Sequence, residues 1–282
     1  MTTPPIDGGT VLVTGASSGI GRELARQVAP TARALVLVAR RADRLAELAA
    51  ELAAKHPALK VSVQPCDVSD LVAVDRMLDA ALAAVGSVDV LVNNAGLGDV
   101  GLFERAGWKK VANLIDVNVL SLTYLTHKLL PGMLERRRGG ILNVSSGFGL
   151  DWMPGVAAYA GTKHFVTAFS ESLRTELRGT GVAVSQLCPG PVGTEFEEIA
   201  GNPTGMRIPK FLEITPERCA RVALRGFRRG RSIVIPGFWM GIAIRLGAWL
   251  PRWMLRLTYA GVGGYLRRRP VIGGPGPTAT PA

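Results

Sequence analysis

The sequence predicts an α/β fold in which helices cover both faces of a parallel sheet of about seven strands, the doubly wound arrangement. Short apolar runs rich in β-branched residues alternate along the chain with longer segments in which apolar residues recur every three or four positions. The short runs are apolar almost throughout, which is typical of strands buried on both faces of a sheet. With 282 residues, 48% of them hydrophobic, the chain is long enough for one large core.

Seven segments satisfy the strand pattern, and in chain order they are 10–14, 34–39, 61–64, 88–92, 140–145, 182–187 and 232–235. Helical patterns lie between them, at 22–29, 43–55, 70–85 and 114–130 among others. The repeated order of strand, helix and strand requires crossover connections between parallel neighbours. Because such sheets bind ligands at the carboxyl ends of their strands, the chemistry is expected in the residues that follow each strand.

Cysteine usage and the first residues of the chain bear on the compartment. Cys66, Cys188 and Cys219 are widely spaced and form no CxxC pair, which fits a reducing environment and small buried side chains. No basic region followed by an apolar core begins the chain, so we recognise no secretory signal and expect a cytoplasmic protein. The three histidines show no metal-ligand spacing, and no catalytic metal is expected.

A glycine-rich turn follows the first predicted strand and precedes a helical segment. Residues 14–21 read TGASSGIG, which is a GxxxGxG pattern. Glycine allows the backbone to approach a ligand closely, and free N–H groups at a helix start attract a pyrophosphate. Taken by itself, the turn is also compatible with a purely structural role. The predicted phosphate contacts are Gly15, Ser17, Ser18, Gly19, Ile20 and Gly21.

Tyr159 and Lys163 lie four residues apart in a helical segment, and Ser146 stands thirteen residues before the tyrosine. At this spacing the phenol and the ammonium share one face of the helix, so the cation can lower the pKa of the hydroxyl. The pair therefore predicts a proton donor. Because such pairs also occur on ordinary helices, the prediction depends on the motifs around it.

Five motifs occur together in an order and spacing that resemble the short-chain dehydrogenase/reductase family, over residues 10–235. They are TGASSGIG at 14–21, NNAG at 93–96, Ser146, the pair Tyr159 and Lys163, and the dipeptide PG at 189–190. The resemblance implies a Rossmann-like domain that binds NAD or NADP and moves a hydride between the dinucleotide and a carbonyl or alcohol group. The set is far more specific than any one of its motifs.

The same resemblance implies the catalytic residues. Tyr159 is the general acid in reduction, and Ser146 holds the substrate oxygen. Lys163 lowers the pKa of the phenol, by roughly two to three units for work near neutrality, and also grips the nicotinamide ribose. Asn118 matches the position that holds a water molecule between the lysine and solvent. Taken alone, Asn118 is more simply interpreted as a core or capping amide, but within the set the functional role is favoured.

The resemblance places further dinucleotide contacts directly after the third, fourth and sixth strands. At the adenine ring and its ribose, the implied contacts are Asp67, Val68, Asn94, Ala95 and Gly96. At the nicotinamide, they are Pro189, Gly190, Val192 and Thr194. Segment 195–213, which glycine and proline punctuate, is predicted to form a substrate lid.

The end of the second strand distinguishes the two dinucleotides by charge. Enzymes that prefer NAD carry a carboxylate there for the ribose 2'-hydroxyl, whereas this chain has Arg40 and Arg41. A guanidinium suits the 2'-phosphate of NADP, so NADP is favoured over NAD. The alternative is that both arginines are only solvated loop charges.

Basic charge is concentrated near the end of the chain, where residues 205–269 hold 14 Lys/Arg and 2 Asp/Glu. We expect a catalytic domain over 1–236, a basic and Trp-rich amphipathic helical extension over 237–272, and a disordered tail over 273–282. The apolar stripe of the extension consists of Ile242, Leu246, Trp249, Trp253 and Leu257. The arginine stripe beside it consists of Arg245, Arg252 and Arg256. Its charges and Pro251 argue against a membrane-spanning helix.

Three interpretations of the extension stay open. In the first, the extension packs against its own core or a twin subunit. In the second, residues 237–269 lie on an anionic membrane surface. The third, nucleic-acid binding, is the least favoured. Membrane association would place the protein at the inner face of the membrane and would favour a lipid-like substrate, such as a long-chain ketone or a 3-oxoacyl group. We also expect a homo-oligomer, a dimer or a tetramer.

The function predicted from the sequence is NADP-dependent transfer of hydride to a hydrophobic carbonyl substrate. The alternative is a catalytically idle protein on the same fold, acting as a dinucleotide sensor or a membrane-associated scaffold. Idle relatives commonly lack the tyrosine or the lysine, and this chain has both, which favours an enzyme.

Overall fold

The computed structural model describes residues 2–196, 200, 213–237, 241–242 and 251–268. Its strands are β1 Thr10–Thr14, β2 Ala34–Ala39, β3 Lys60–Pro65, β4 Val90–Asn93, β5 Gly139–Val144, β6 Val182–Leu187 and β7 Ile233–Val234. All neighbours pair in parallel, in the order β3-β2-β1-β4-β5-β6-β7. The predicted α/β class and parallel sheet are confirmed.

Helices connect the strands and cover both faces of the sheet. They are α1 Gly19–Val28, α2 Ala42–Lys55, α3 Leu71–Val85, α4 Trp108–Ile115, α5 Ser121–Glu135, α6 Ala157–Glu176, α7 Pro216–Arg228 and α8 Arg252–Arg268. A single π-turn, Asp116–Leu120, joins α4 to α5. The predicted helix 70–85 begins one residue later because Asp70 is its cap, where the carboxylate accepts from the N–H groups of Val72 and Ala73.

Strands β1, β2, β4, β5 and β6 are buried along their whole length, as their continuous apolar character predicted, whereas the edge strand β3 is only partly buried. Val11 and Val13 of β1 belong to one apolar cluster, while Leu12 between them belongs to a second cluster on the opposite face. Leu35 and Val36 divide in the same way in β2. Each such side chain contributes about 1.5–3 kcal/mol on burial, so the sheet is a rigid base for the loops at its edge.

The order of the strands creates a crevice at one point of the sheet edge. The chain builds outward from β1 to β2 and β3, then returns to place β4 on the other side of β1. The loops after β1 and β4 therefore leave the sheet in opposite directions, and the space between them is where sheets of this kind bind ligands. Gly15 and Asn94 begin these two loops.

Several predicted features lie wholly or partly outside the described residues. They are most of the lid 195–213, the stripe positions Arg245, Leu246 and Trp249, and the tail 273–282. Within the described ranges, no helix is both long enough and apolar enough to cross a membrane.

Candidate active site

The turn between β1 and α1 presents backbone N–H groups to the crevice. Gly15 and Gly19 have φ angles of 66° and 54°, in the left-handed region that glycine adopts without strain. A Cβ on Gly21 would lie 2.4 Å from the carbonyl oxygen of Gly15, so only glycine lets the helix pack onto the turn. The Ser18 side chain makes no capping hydrogen bond, and the first turn of α1 has no acidic residue. The turn therefore fits a pyrophosphate.

Asn94 fixes the glycine turn against the end of β4. Its Nδ2 donates to the carbonyl oxygens of Thr14 and Gly15, at 2.8 and 3.3 Å. The Thr14 hydroxyl accepts from the N–H groups of Asn94 and Ala95, at 3.0 and 2.9 Å. The amide of Asn94, predicted as an adenosine contact, thus also holds the two loops in register.

A cavity of about 710 Å³ runs along this edge of the sheet. Arg40 and Arg41 line one end, and Ser146, Tyr159 and Lys163 line the other. Every other site residue predicted from the sequence also lines the cavity, except Gly21 and Asn118. The residues that the sequence placed after separate strands are therefore brought together in one continuous space.

Arg41 is directed at the glycine turn, whereas Arg40 is largely solvated. The Nε and Nη2 atoms of Arg41 donate to Ser17 Oγ at 3.3 and 3.2 Å. The Arg40 side chain is 60% exposed, and its Nη1 atom lies 4.0 Å from the Asp67 carboxylate. Of the two arginines, Arg41 is thus the one held in place beside the phosphate turn.

Glu195 and Arg44 extend this cluster, and neither was predicted from the sequence as a site residue. The Glu195 carboxylate pairs with Arg41 at 2.8 Å and with Arg44 through its other oxygen. These guanidiniums, Arg44 first and then Arg41, lower the pKa of Glu195 to about 2. The residues are about 150 apart in the chain, so no local spacing could have indicated the contact.

Ser146, Tyr159 and Lys163 meet at the opposite end of the cavity. Ser146 follows β5, and its hydroxyl accepts from the Phe148 N–H at 3.2 Å and hydrogen-bonds with the Tyr159 side chain. Tyr159 lies in the first turn of α6 and is 8% exposed. Lys163, one turn further, donates from Nζ to the Val144 carbonyl at 2.9 Å, and Nζ lies 5.9 Å from the centre of the Tyr159 ring.

Burial is the main cause of the pKa shifts of Tyr159 and Lys163. It raises the pKa of Tyr159 to about 12, against a smaller lowering by the hydrogen bond with Ser146. It also lowers the pKa of Lys163 to about 8. The sequence led us to expect Lys163 to lower the phenol pKa, and the shift runs the other way because loss of solvent penalises the phenolate. The phenol is therefore protonated, which is the form that a general acid requires.

Asn118 lies in the π-turn, and its side chain is fully engaged within the protein. Its Oδ1 accepts from the Leu97 N–H at 2.8 Å, and Nδ2 donates to the Leu97 carbonyl at 2.9 Å and to Thr162 Oγ1 at 3.0 Å. The amide thus joins the loop after β4 to α6, one residue before Lys163. This agrees with the structural interpretation of the side chain, and the water-holding role stays a prediction.

Helix α8 packs over the open side of the cavity. The Tyr259 hydroxyl donates to Asp151 at 3.2 Å, and its ring meets the edge of Trp152 with centres 5.0 Å apart. Leu266 is 3% exposed and lines the cavity, where a Cβ on Gly155 would lie 2.9 Å from its Cδ1. The inner face of the helix therefore contacts this chain's own catalytic region, one of the three interpretations left open by the sequence.

An apolar wall surrounds the end of the cavity that holds Tyr159. Phe148 and Phe196 flank the phenol, with ring centres 6.3 and 5.8 Å away. The rest of the wall is formed by Leu97, Val100, Met153, Val156 and Leu266. None of these residues was predicted from the sequence; for all but Leu266, which lies in α8, the only signal was an apolar side chain in a loop region, where polar residues are usual.

The three cysteines are buried and unpaired, as the sequence indicated. Burial raises the pKa of Cys188 and of Cys219 to about 12, so neither thiol is activated. No cluster of three or more metal-ligating side chains occurs in the part of the chain that the structure describes.

Comparisons with known proteins agree with this geometry. The family model described as short chain dehydrogenase matches residues 9–202. The NADP-dependent 3-hydroxy acid dehydrogenase of Schizosaccharomyces pombe is 34% identical over 245 residues, which cover 82% of this chain and 91% of that protein. A short-chain dehydrogenase from Sphingobium yanoikuyae, solved with NADPH, superposes with a TM-score of 0.75 at 29% identity, over 94% of this chain and 99% of the other. A bulky-bulky ketone specific alcohol dehydrogenase from Comamonas testosteroni superposes with a TM-score of 0.70 at 25% identity, over 94% of this chain and 97% of the other.

Proposed function

The chain belongs to the short-chain dehydrogenase family and is a dinucleotide-dependent oxidoreductase, and we propose that it reduces uncharged, hydrophobic carbonyl compounds. Its dinucleotide is NADP, in line with the NADP-dependent relative and the NADPH-bound neighbour. The observation that carries the proposal is one cavity with a cationic end at Arg41 and a proton donor at Tyr159.

The residues of the chain divide the work of reduction between them. Bound NADPH supplies the hydride. Ser146 donates a hydrogen bond to the carbonyl oxygen, and Tyr159 donates its phenolic proton to the same oxygen as negative charge develops there. The ammonium of Lys163, held by the Val144 carbonyl, contributes positive charge close to the phenol and stabilises the phenolate that forms.

The charges around the substrate end argue for an uncharged compound. Apart from Lys163, the charged side chains that line this end among the described residues are Asp99 and Asp151. Asp99 is paired with Lys110 at 2.7 Å, and Asp151 accepts from Tyr259. A substrate carboxylate would meet acidic neighbours here, whereas an alkyl or acyl chain would meet the apolar wall. The substrate class that we propose therefore differs from the hydroxy acid named for the Schizosaccharomyces pombe relative.

A matched pair of substrates tests this proposal. We expect NADPH consumption with a medium-chain methyl 3-oxoester to exceed that with the corresponding 3-oxo acid by at least about tenfold in kcat/KM, because only the acid carries a negative charge into the apolar end. Preference for the free acid would contradict the substrate class. Absence of turnover with either compound and with a panel of alkyl ketones would favour the idle sensor instead.

We propose that a different face of the molecule binds a second copy of the chain. Large apolar side chains are exposed on the surface formed by α4, the π-turn and α6, where they are Trp108, Ile115, Leu120 and Phe165. A homo-oligomer, a dimer or a tetramer, would bury this surface.

For the outer face of α8 we propose a second partner, the anionic inner surface of the membrane. Trp253 and Leu257 are 61% and 68% exposed, and two exposed arginines lie on the same helix, Arg256 beside them and Arg268 at its end. Apolar side chains flanked by arginines suit a helix that lies in a lipid headgroup layer. We therefore propose a cytoplasmic protein that associates peripherally with lipid.

Vesicle flotation tests the membrane surface. The unaltered protein is expected to float with phosphatidylglycerol vesicles but not with pure phosphatidylcholine, and the double variant Trp253→Ser, Leu257→Ser should lose most of this binding. Val72→Ser, which removes an exposed apolar side chain from α3, is the control and should float normally. Equal flotation of the double variant and the control would contradict a role for α8.

A further inference from the structure

The cluster around Arg41 contains an anion supplied by the protein itself. Both oxygens of the Glu195 carboxylate are used, one by Arg41 at 2.8 Å and the other by Arg44. The same guanidinium of Arg41 donates from Nε and Nη2 to Ser17 Oγ in the phosphate turn. Glu195 is thus bound to the arginine that, under the proposed function, faces the 2'-phosphate of NADP.

The position of Glu195 in its loop keeps the carboxylate at this end of the cavity. It directly follows Thr194, which lines the cavity and whose Cγ2 would lie 3.0 Å from a Cβ on Gly19. The loop after β6 therefore rests on the glycine turn and then reaches across to α2. The side chains of Glu195, Arg41 and Arg44 are each little more than one third exposed, so they are accessible to a ligand.

Carboxylate and phosphate compete for arginine because both accept the same paired N–H donors. A ribose 2'-phosphate also brings close to two negative charges next to Glu195, and like charges at such short range repel each other. NAD has only a hydroxyl at this position, so it neither displaces the carboxylate nor repels it. The two dinucleotides should therefore respond differently to the presence of Glu195.

We propose that Glu195 is an internal competitor of the NADP 2'-phosphate, a residue that occupies Arg41 and Arg44 in the free protein and sets the affinity for the phosphorylated dinucleotide. The inference rests on the proposed function, since it takes NADP as the ligand of this end of the cavity. With the pKa of Glu195 at about 2, the carboxylate is charged at every working pH. The affinity for NADP then depends on the competition between the Glu195 carboxylate and the 2'-phosphate for the guanidiniums of Arg41 and Arg44.

Calorimetric titration with two small nucleotides isolates this balance without any turnover. The ligands are 2',5'-ADP, which carries the 2'-phosphate, and 5'-AMP, which lacks it. Glu195→Gln keeps the shape of the side chain and removes its charge. We expect the variant to bind 2',5'-ADP about two- to tenfold more tightly than the unaltered protein, with 5'-AMP affinity unchanged within about twofold.

Glu217→Gln is the matched control, because Glu217 also forms an exposed pair with an arginine, Arg221, but lies outside the cavity lining. Its affinity for 2',5'-ADP should equal that of the unaltered protein. Unchanged or weaker binding of 2',5'-ADP by Glu195→Gln would overturn the inference, and so would an equal gain in the control, which would indicate a general charge effect. If Glu195→Gln, which lacks the competing charge, also binds 2',5'-ADP no better than 5'-AMP, the NADP assignment itself fails.

Discussion

Replacing Tyr159 by phenylalanine is expected to lower kcat by about 10²–10⁴-fold while leaving the NADPH dissociation constant within about threefold of its original value. The substitution removes only the hydroxyl. The ring stays between Phe148 and Phe196, and the cationic end of the cavity is untouched. Because the phenol is the group that we propose donates a proton to the substrate oxygen, the loss should appear in turnover and not in cofactor binding.

The measurement is the loss of NADPH absorbance with a hydrophobic ketone, together with NADPH binding followed by fluorescence. Tyr124→Phe is the matched control, since its phenol donates to Asp75 and lies outside the cavity lining. That variant should keep full activity. A Tyr159→Phe enzyme that retains more than about a tenth of kcat would remove the phenol from the proposed mechanism.

Replacing Lys163 by methionine should separate activity from stability. We expect kcat/KM to fall by about 10²–10³-fold, because the positive charge next to the phenol is lost. The free energy of unfolding at pH 7 should rise by about 1–2 kcal/mol, since the lowered pKa of about 8 measures the unfavourable burial of an ammonium group. Part of this gain is offset because the Val144 carbonyl loses its donor.

The pH dependence of stability follows from the same pKa. Below pH 8 the lysine is protonated in both states, and the folded protein carries the full penalty of the buried charge. Between about 8 and the ordinary value of 10.5, the folded state has released the proton while the unfolded state still holds it. The contribution of Lys163 to stability should therefore rise with pH across this range, so the stability advantage of Lys163→Met over the unaltered protein should shrink.

Urea unfolding at several pH values, with NADPH turnover measured in parallel, checks both parts. Lys128→Met is the matched control, because Lys128 is a half-exposed lysine paired with Asp75 at 2.8 Å. It should leave turnover unchanged and alter stability by less than about 1 kcal/mol. A stability advantage of Lys163→Met that stays constant or grows between pH 8 and 10, or an active Lys163→Met enzyme, would contradict the interpretation of Lys163.

The catalytic residues were accessible to sequence reasoning because their relations are local or follow from the sheet. Tyr159 and Lys163 share one helix at a spacing of four, and Ser146 and the glycine turn each follow a strand directly. Parallel strands all end at the same edge, so residues that follow different strands had to come together. The direction of the Tyr159 pKa shift was not accessible, because it depends on how completely the phenol is removed from water.

Sequence alone thus predicted the sheet, its ligand-binding edge, the residue proposed as the proton donor and the charge that favours NADP. Tertiary structure alone decided that Glu195 pairs with Arg41 and Arg44, and that Leu266 of α8 lines the end of the cavity that holds Tyr159. The physical reason is distance along the chain. Periodicity and motif spacing report interactions within an element or at its end, whereas the contacts of Glu195 and Leu266 join segments more than a hundred residues apart and leave no repeating pattern in the sequence.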